Sequence, residues 1–234
     1  QVKHHFIASH SIQETVNAGT FEAYALKKSA ELLAAFGSVV MVGGTGLYIK
    51  AFVEGMDQIP AIDPAIRSQI QEDVSLKGMD WLQAQVQAKD PAYWAQADQG
   101  EKQNTQRLSR ALEVVIGTGQ SILSFQNQVK KVRPFNIQKI GLEMTREQLY
   151  DRINQRVHQM DHMGLEEEVR SLRPQFHLNA LQTVGYQEWL PYFDGQQTKE
   201  AVIQAIQQNT RHYAKRQMTW FKKDPNIKWN QIAS

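Results

Sequence analysis

The stretch from Met41 to Phe52, MVGGTGLYIKAF, contains the pattern that decides the fold. A short apolar run over 38–42 leads into a glycine-rich turn that ends at Gly46, and large apolar residues at helical spacing follow. Strand, glycine turn and helix is the order in which proteins build phosphate-binding loops. Such a loop usually carries Lys and then Ser or Thr after its last glycine, but Leu47 and Tyr48 follow here. We therefore expect this turn to do something other than hold a phosphate.

The composition is that of an ordinary globular protein. The 234 residues are 41% hydrophobic and 21% charged, and the net charge is only +2. No global positive field therefore indicates a nucleic-acid partner, although a local basic face can exist. Cysteine is absent, which excludes disulfides and thiolate metal sites. No run is long enough to span a membrane, and the start, QVKHHFIASH, lacks the apolar core of a signal peptide. The sequence predicts a cytoplasmic protein without a membrane partner.

Helix and strand signals alternate near the start of the chain. A helical face over 21–36 ends at Gly37, and the apolar run 38–42 reads as a fully buried strand. This order is the unit of a parallel α/β sheet that is covered on both faces. A strand pattern returns at 137–144, and NIKWN at 226–230 is a candidate closing strand.

The middle of the chain reads differently. Four capped helical patterns follow one another between about 62 and 125 without a strand signal. We therefore expect an α/β core formed by 1–61 and 126–234, which includes the C-terminal helices, and an inserted helical domain over 62–125.

Two helical segments concentrate positive charge. Arg107 and Arg110 lie three residues apart, away from an apolar stripe, and can reach one anionic strand or simply form a solvated face. The segment KRQMTWFKK, 215–223, places Trp220 among cations. That mixture suits an RNA backbone with a base to stack on. It also suits a basic helix end that interacts with the helix dipole, with Trp220 in the core.

A third helix offers two other spacings. Arg152 and Arg156 are four residues apart and form either a fork aimed at a pyrophosphate or ion pairs with acidic residues of the next helix. His158 and His162 have a spacing that can bind zinc, but the sequence supplies no third ligand. We therefore predict no metal site from protein side chains in this chain.

Taken together, eight segments resemble those of bacterial tRNA dimethylallyltransferases, also called tRNA isopentenyltransferases, in the same order along nearly the whole chain. They are HHFI, VGGTGLYIKA, IPAIDPAIR, QRLSRALEV, INQRVHQM, GLEEEVRSL, LQTVGYQE and YAKRQMTWF. The resemblance implies a fold like that of P-loop kinases with an inserted, mostly helical domain. It also implies transfer of a dimethylallyl group from dimethylallyl pyrophosphate to N6 of the adenosine 3′ of the tRNA anticodon.

The resemblance also assigns site residues. Arg156 is implied to face the pyrophosphate and the reacting centre, and Thr45 to meet the substrate. Residues implied to contact the tRNA anticodon stem-loop from the inserted domain are Arg67, Gln106, Arg107, Leu108, Ser109 and Arg110. Those implied from the core are Gln182, Thr183, Val184, Gly185, Tyr186, Gln187, Lys215, Arg216, Gln217, Met218, Thr219, Trp220, Phe221 and Lys222.

One part of the family pattern is not found in these residues. Family members begin with a phosphate loop like GPTxSGKT and a DSxQVY-like stretch whose Asp is the general base, and neither occurs here. We expect both, with most of the Mg²⁺ site, upstream of Gln1, and we expect a monomer that is inactive in transfer on its own. The alternatives are an RNA-binding module without catalysis, a small-molecule kinase of the same superfamily, and an isopentenyltransferase that acts on free adenine nucleotides.

Overall fold

The structure, a computed structural model, describes residues 2–126 and 129–232. The chain divides into two compact units. The core unit comprises Gln1–Val53 and Arg133–Ser234, and the helical unit comprises Glu54–Val132.

The described residues form helices and two short strands, in the following chain order: α1 (Ala18–Phe36), α2 (Gly46–Glu54), α3 (Pro64–Lys89), α4 (Pro91–Gln96), α5 (Gln99–Lys102), α6 (Thr105–Thr118), β1 (Lys139–Glu143), α7 (Arg146–His162), α8 (Leu165–Leu172), α9 (Leu190–Phe193), α10 (Lys199–Phe221) and β2 (Ile227–Gln231). Within residues 2–126 and 129–232, every helix is too short or too polar to cross a lipid bilayer.

The two strands form a parallel pair in the core unit, so the fold is mixed α/β as predicted. Lys139 lies opposite Ile227, and the register continues to Glu143 opposite Gln231. A parallel pair needs a long crossover, and helices α7 to α10 provide it. At the start of the pair, Lys139 Nζ donates to Asp224 Oδ2 at 2.5 Å. That ion pair lowers the pKa of the Asp224 carboxyl.

The strand expected at 38–42 is not present, and that prediction is wrong. These residues form no strand pairing, and Val40 and Val42 are 84% and 90% exposed. A strand requires a neighbour to accept its backbone hydrogen bonds. Within the described part of the chain, β1 and β2 pair only with each other, so the apolar run has no partner strand.

The interior of the core unit is built around Trp189, whose side chain is fully buried. Val157 of α7, Val169 of α8, and Val202 and Ile206 of α10 pack in the same cluster. Each comes from the apolar stripe of an amphipathic helix. The stripe of α7 therefore faces inward, and its arginines are left on the outside.

Arg133 fastens the C-terminal end of α2. Its Nε donates to the Phe52 carbonyl at 2.7 Å, and its Nη2 donates to the Ala51 carbonyl and to Glu22 Oε1, both at 2.8 Å. The Arg133 side chain is only 9% exposed. A buried cation at the end of a helix meets the negative pole of the helix dipole, and Glu22 of α1 balances its charge.

The helical unit contains α3 to α6, and the insertion expected over 62–125 lies within it. The Asp63 side chain caps α3 by accepting from the Ala65 N–H, and Pro64 occupies the first turn. Buried residues of α3 and α6, including Leu82 and Leu112, form its core. Helix α6 ends at Thr118 and is followed by Gly119, whose φ of +71° fits a C-terminal glycine.

Candidate functional site

The glycine turn packs directly against the basic end of α10 in the core unit. A Cβ added to Gly44 would lie 2.1 Å from Nε2 of Gln217, and one added to Gly46 would lie 2.3 Å from Cδ1 of Trp220. Gln217 Nε2 also donates to the Gly44 carbonyl at 2.9 Å. None of the turn's glycines has a positive φ. They are needed for close approach, and the partner they admit is a helix of the same chain.

The turn leaves Thr45 exposed at the start of α2. The Thr45 carbonyl accepts from the N–H groups of Tyr48 and Ile49 at 3.0 and 3.1 Å, which fixes its backbone. The side chain is therefore presented beside α10 from an anchored position. A small hydroxyl held in this way can donate or accept one hydrogen bond to a ligand.

The last turns of α10 carry several exposed cations around a half-exposed indole. Trp220 is 41% exposed, so the alternative that places it in the core is wrong. Lys222 Nζ lies 3.4 Å from Glu143 Oε2, and Arg216 lies over the Tyr213 ring. Lys215 has no ion-pair partner among residues 2–126 and 129–232. The surface thus combines cations with an aromatic face, as single-stranded nucleic acid requires.

Helix α7 presents Arg152 and Arg156 to solvent. Neither has an ion-pair partner in the part of the chain that the structure describes, so the ion-pair alternative is wrong. The adjacent face of α7 contacts α10 instead, where Arg211 Nη1 donates to Asn154 Oδ1 at 3.0 Å. His158 Nε2 lies 3.1 Å from the amide nitrogen of Gln207. The two exposed guanidinium groups remain available to an anion.

Hydrogen bonds to nearby glutamates stabilise the loop 182–187. The φ of Gly185 is +97°, and its N–H donates to Glu188 Oε2 at 2.9 Å. Gly185 is also buried, and its positive φ gives it a conformational role in the loop, while the tRNA contact of this position stays a prediction. The Tyr186 hydroxyl donates to Glu168 Oε1 at 2.5 Å. Burial and this hydrogen bond raise the pKa of Tyr186 to about 12.

The other members of this loop differ in exposure. Val184 packs against the core cluster around Trp189. Gln182, Thr183 and Gln187 are exposed, and the Gln187 amide donates to Gln182 Oε1 at 2.8 Å. The loop therefore presents polar side chains on a rigid backbone.

In the helical unit, the arginines of α3 and α6 are paired with acidic residues. Glu113 accepts from both Arg67 and Arg110, and Arg107 pairs with Glu101. Leu108 is fully buried in the apolar stripe of α6, so its side chain packs in the interior, and the tRNA contact of this position stays a prediction. Gln106 and Ser109 occupy the same helix, the first exposed and the second partly buried.

Sequence reasoning did not identify Glu113, Glu101 or Arg133. A signal exists for Glu113, since a carboxylate stands inside the apolar run ALEVV of α6, where an acidic residue is stable only if it is paired. Arg133 carries no comparable local signal, because its partners lie 81 to 111 residues away.

No group of three or more His, Cys, Asp or Glu side chains within residues 2–126 and 129–232 could hold a metal ion. No chemical step is assigned to a metal on this chain, and the Mg²⁺ that the resemblance implies stays a prediction.

Comparisons with known proteins agree with the resemblance. The family model described as IPP transferase matches residues 1–224. The tRNA dimethylallyltransferase of Christiangramia forsetii is 49% identical over 226 residues, which cover 97% of this chain and 74% of that protein. The tRNA dimethylallyltransferase of Flavobacterium johnsoniae is 44% identical, with the same coverage.

Solved structures agree on the fold. The crystal structure of the full-length tRNA isopentenylpyrophosphate transferase from Bacillus halodurans is 33% identical with a TM-score of 0.63, and the match covers 98% of this chain and 72% of that one. The tRNA isopentenylpyrophosphate transferase of Staphylococcus epidermidis is 28% identical with a TM-score of 0.56. The chain belongs to the IPP transferase family of tRNA-modifying prenyl transferases.

Proposed function

We propose that this chain supplies the tRNA-binding surface and part of the active site of a tRNA dimethylallyltransferase. The reaction class follows from family membership. The single observation that carries the assignment of the surface is the contact between the glycine turn and α10, in which Gln217 is bonded to Gly44 173 residues away in sequence. This contact brings Thr45 beside the cations and the indole of the segment 215–222.

The proposed reaction joins N6 of an adenosine to C1 of the dimethylallyl group. The bond from C1 to the pyrophosphate oxygen breaks as the N6–C1 bond forms, pyrophosphate leaves with the electron pair, and N6 loses a proton to a base. An exocyclic amine is a poor nucleophile, so the leaving group must be stabilised. Arg156, exposed on α7 without an ion pair among the described residues, is the residue we assign to the growing charge on pyrophosphate. We assign the base to no residue of this chain.

The adenine must leave the stack of the anticodon loop before it can react, at a cost of a few kcal/mol. Contacts between cations and RNA phosphates offset that cost, and the exposed face of Trp220 can stack on a base. In the helical unit we assign further contacts to Arg67, Arg107 and Arg110. The substrate is therefore the folded anticodon stem-loop and not a free nucleotide.

RNA binding by the 234-residue chain tests the surface. Anisotropy of a labelled anticodon stem-loop, titrated at several salt concentrations, gives the affinity and its salt slope. Lys215→Ala should lower the affinity and reduce the slope by about one. Lys27→Ala removes an exposed lysine of α1 outside this surface and is the matched control. Binding that ignores salt, or an equal effect of both variants, contradicts the assignment.

Transfer is tested with the natural gene product. The assay uses radiolabelled dimethylallyl pyrophosphate with either tRNA or AMP as the acceptor. Incorporation into tRNA, but not into AMP, is expected, because only tRNA can contact the basic surface while its adenosine reacts. Equal use of AMP would favour the free-nucleotide alternative. RNA binding without transfer to either acceptor would favour a binding module.

A further inference from the structure

A buried carboxylate joins the two longest helices of the helical unit. Glu113 of α6 is 6% exposed. Its Oε1 accepts from Arg67 Nη2 at 3.1 Å and from Arg110 Nη1 at 2.7 Å, and its Oε2 accepts from Nε and Nη2 of Arg67, both at 3.2 Å. One side chain of α3 and one of α6 are thereby oriented by the same carboxylate.

The two arginines are not buried with it. The side chain of Arg67 is 54% exposed and that of Arg110 is 34% exposed. A guanidinium group has five N–H donors, so both N–H groups of Arg67 Nη1 and four N–H groups of Arg110 remain after Glu113 is satisfied. No acceptor among residues 2–126 and 129–232 takes them. A cavity of about 280 Å³, which is bordered on its other side by residues 59–62, lies next to the three charged groups.

Fold stability alone is a weak explanation for this cluster. Only the carboxylate of Glu113 is removed from water, and the cost of burying a charge can exceed what its ion pairs return. The geometry offers a better reason, because the buried carboxylate accepts hydrogen bonds from both guanidinium groups and so favours one orientation of each. Two oriented forks with outward donors match the oxygens of a phosphate.

We propose that Glu113 is a positioning residue that holds Arg67 and Arg110 as a preformed site for one backbone phosphate of the tRNA. This inference rests on the proposed function. Glu113 touches no RNA itself and acts only through the two arginines. Because the side chains are ordered before RNA arrives, binding does not have to order them.

The variant Glu113→Gln tests this inference, because the two explanations predict opposite changes in RNA affinity. The substitution keeps the shape of the side chain but removes a negative charge next to RNA. If Glu113 acted only by its charge, the affinity for the anticodon stem-loop would rise and the salt slope would steepen. If it positions the arginines, the affinity falls, by about tenfold for two side chains that lose their orientation.

Glu72→Gln is the matched control. It removes the same charge from an exposed position on α3, and its affinity should stay within about twofold of the wild type, as for a solvated surface charge. A second comparison uses the double variant that combines Arg67→Ala and Arg110→Ala. Adding Glu113→Gln there should cause no further loss, because additivity fails between residues that act through one another.

Thermal melts accompany each measurement. If Glu113→Gln unfolds, Glu113→Met replaces it, since an apolar side chain of similar length buries no amide N–H group against the two guanidinium groups, and it should show the same loss of RNA affinity. A wild-type affinity in a folded Gln or Met variant overturns the inference, as does a further loss in the double-alanine background. Failure of the wild-type chain to bind RNA at all overturns the proposed function, and this inference with it.

Discussion

The glycine turn can be tested with three single-methyl substitutions that meet different surroundings. Gly46→Ala would place its Cβ 2.3 Å from the Trp220 ring, whereas the nearest atom to a Cβ at Gly43 is Ile49 Cδ1 at 3.9 Å. Overpacking of this kind costs about 1–3 kcal/mol. Replacing glycine by alanine lowers the entropy of the unfolded chain, which raises the free energy of unfolding by only about 0.4–1 kcal/mol. We therefore expect Gly46→Ala to lower the free energy of unfolding by about 1–2 kcal/mol, and Gly43→Ala to leave it unchanged or raise it.

Gly44→Ala should fall between the two. Its Cβ would meet the end of the Gln217 side chain, which can rotate away at the cost of one hydrogen bond to the Gly44 carbonyl, about 1 kcal/mol. Urea unfolding, followed by circular dichroism, measures all three variants. RNA affinity should follow the same order, because a displaced Trp220 loses its place beside Thr45. Equal unfolding curves for Gly46→Ala and Gly43→Ala would refute the close approach.

Two further predictions concern stability. Arg133→Ala should lower the free energy of unfolding by about 3–5 kcal/mol, because it breaks a buried ion pair with Glu22 and removes the donors to the carbonyls of Phe52 and Ala51. Lys130→Ala, which removes an exposed ammonium, should lower it by less than about 1 kcal/mol in the same urea assay. Tyr186→Phe removes a hydroxyl bonded to Glu168 whose pKa is raised to about 12. Because the folded pKa exceeds the unfolded value of about 10, the wild type should be more stable by about 1 kcal/mol below pH 10 and should lose that advantage as the pH rises through 12. A stability difference between the wild type and Tyr186→Phe that stays constant with pH would contradict the Tyr186 prediction.

Helix ends could be predicted from sequence because their causes are local. Thr145 and Gln148 form the capping box that their spacing indicates, and Gly37 ends α1 with a φ of +71°. Each of these groups bonds to backbone within four residues, so a short window contains the cause and its effect. The pairing of Arg67 with Glu113 spans 46 residues and cannot be read from either window.

The expected strand at 38–42 failed for a related reason. An apolar, β-branched run indicates only that the segment is suited to a buried strand. Whether it forms one depends on a neighbouring strand, which no property of Val39 to Val42 supplies. The strand at 139–143, KIGLE, has a weaker signal with one β-branched residue, and it forms because Ile227 to Gln231 lie beside it.

The partners of the cations separate two kinds of contact within the predicted tRNA surface. In the helical unit, Arg107 is balanced by Glu101, and Glu113 balances one of the two charges of Arg67 and Arg110. These three arginines therefore add a net charge of only about +1 toward RNA, and their value lies in oriented donors. Exposed cations without ion-pair partners, such as Lys215, instead act through charge and counterion release. We therefore expect the oriented donors to position the anticodon stem-loop, and the unpaired cations of the core unit to provide most of the salt-dependent attraction.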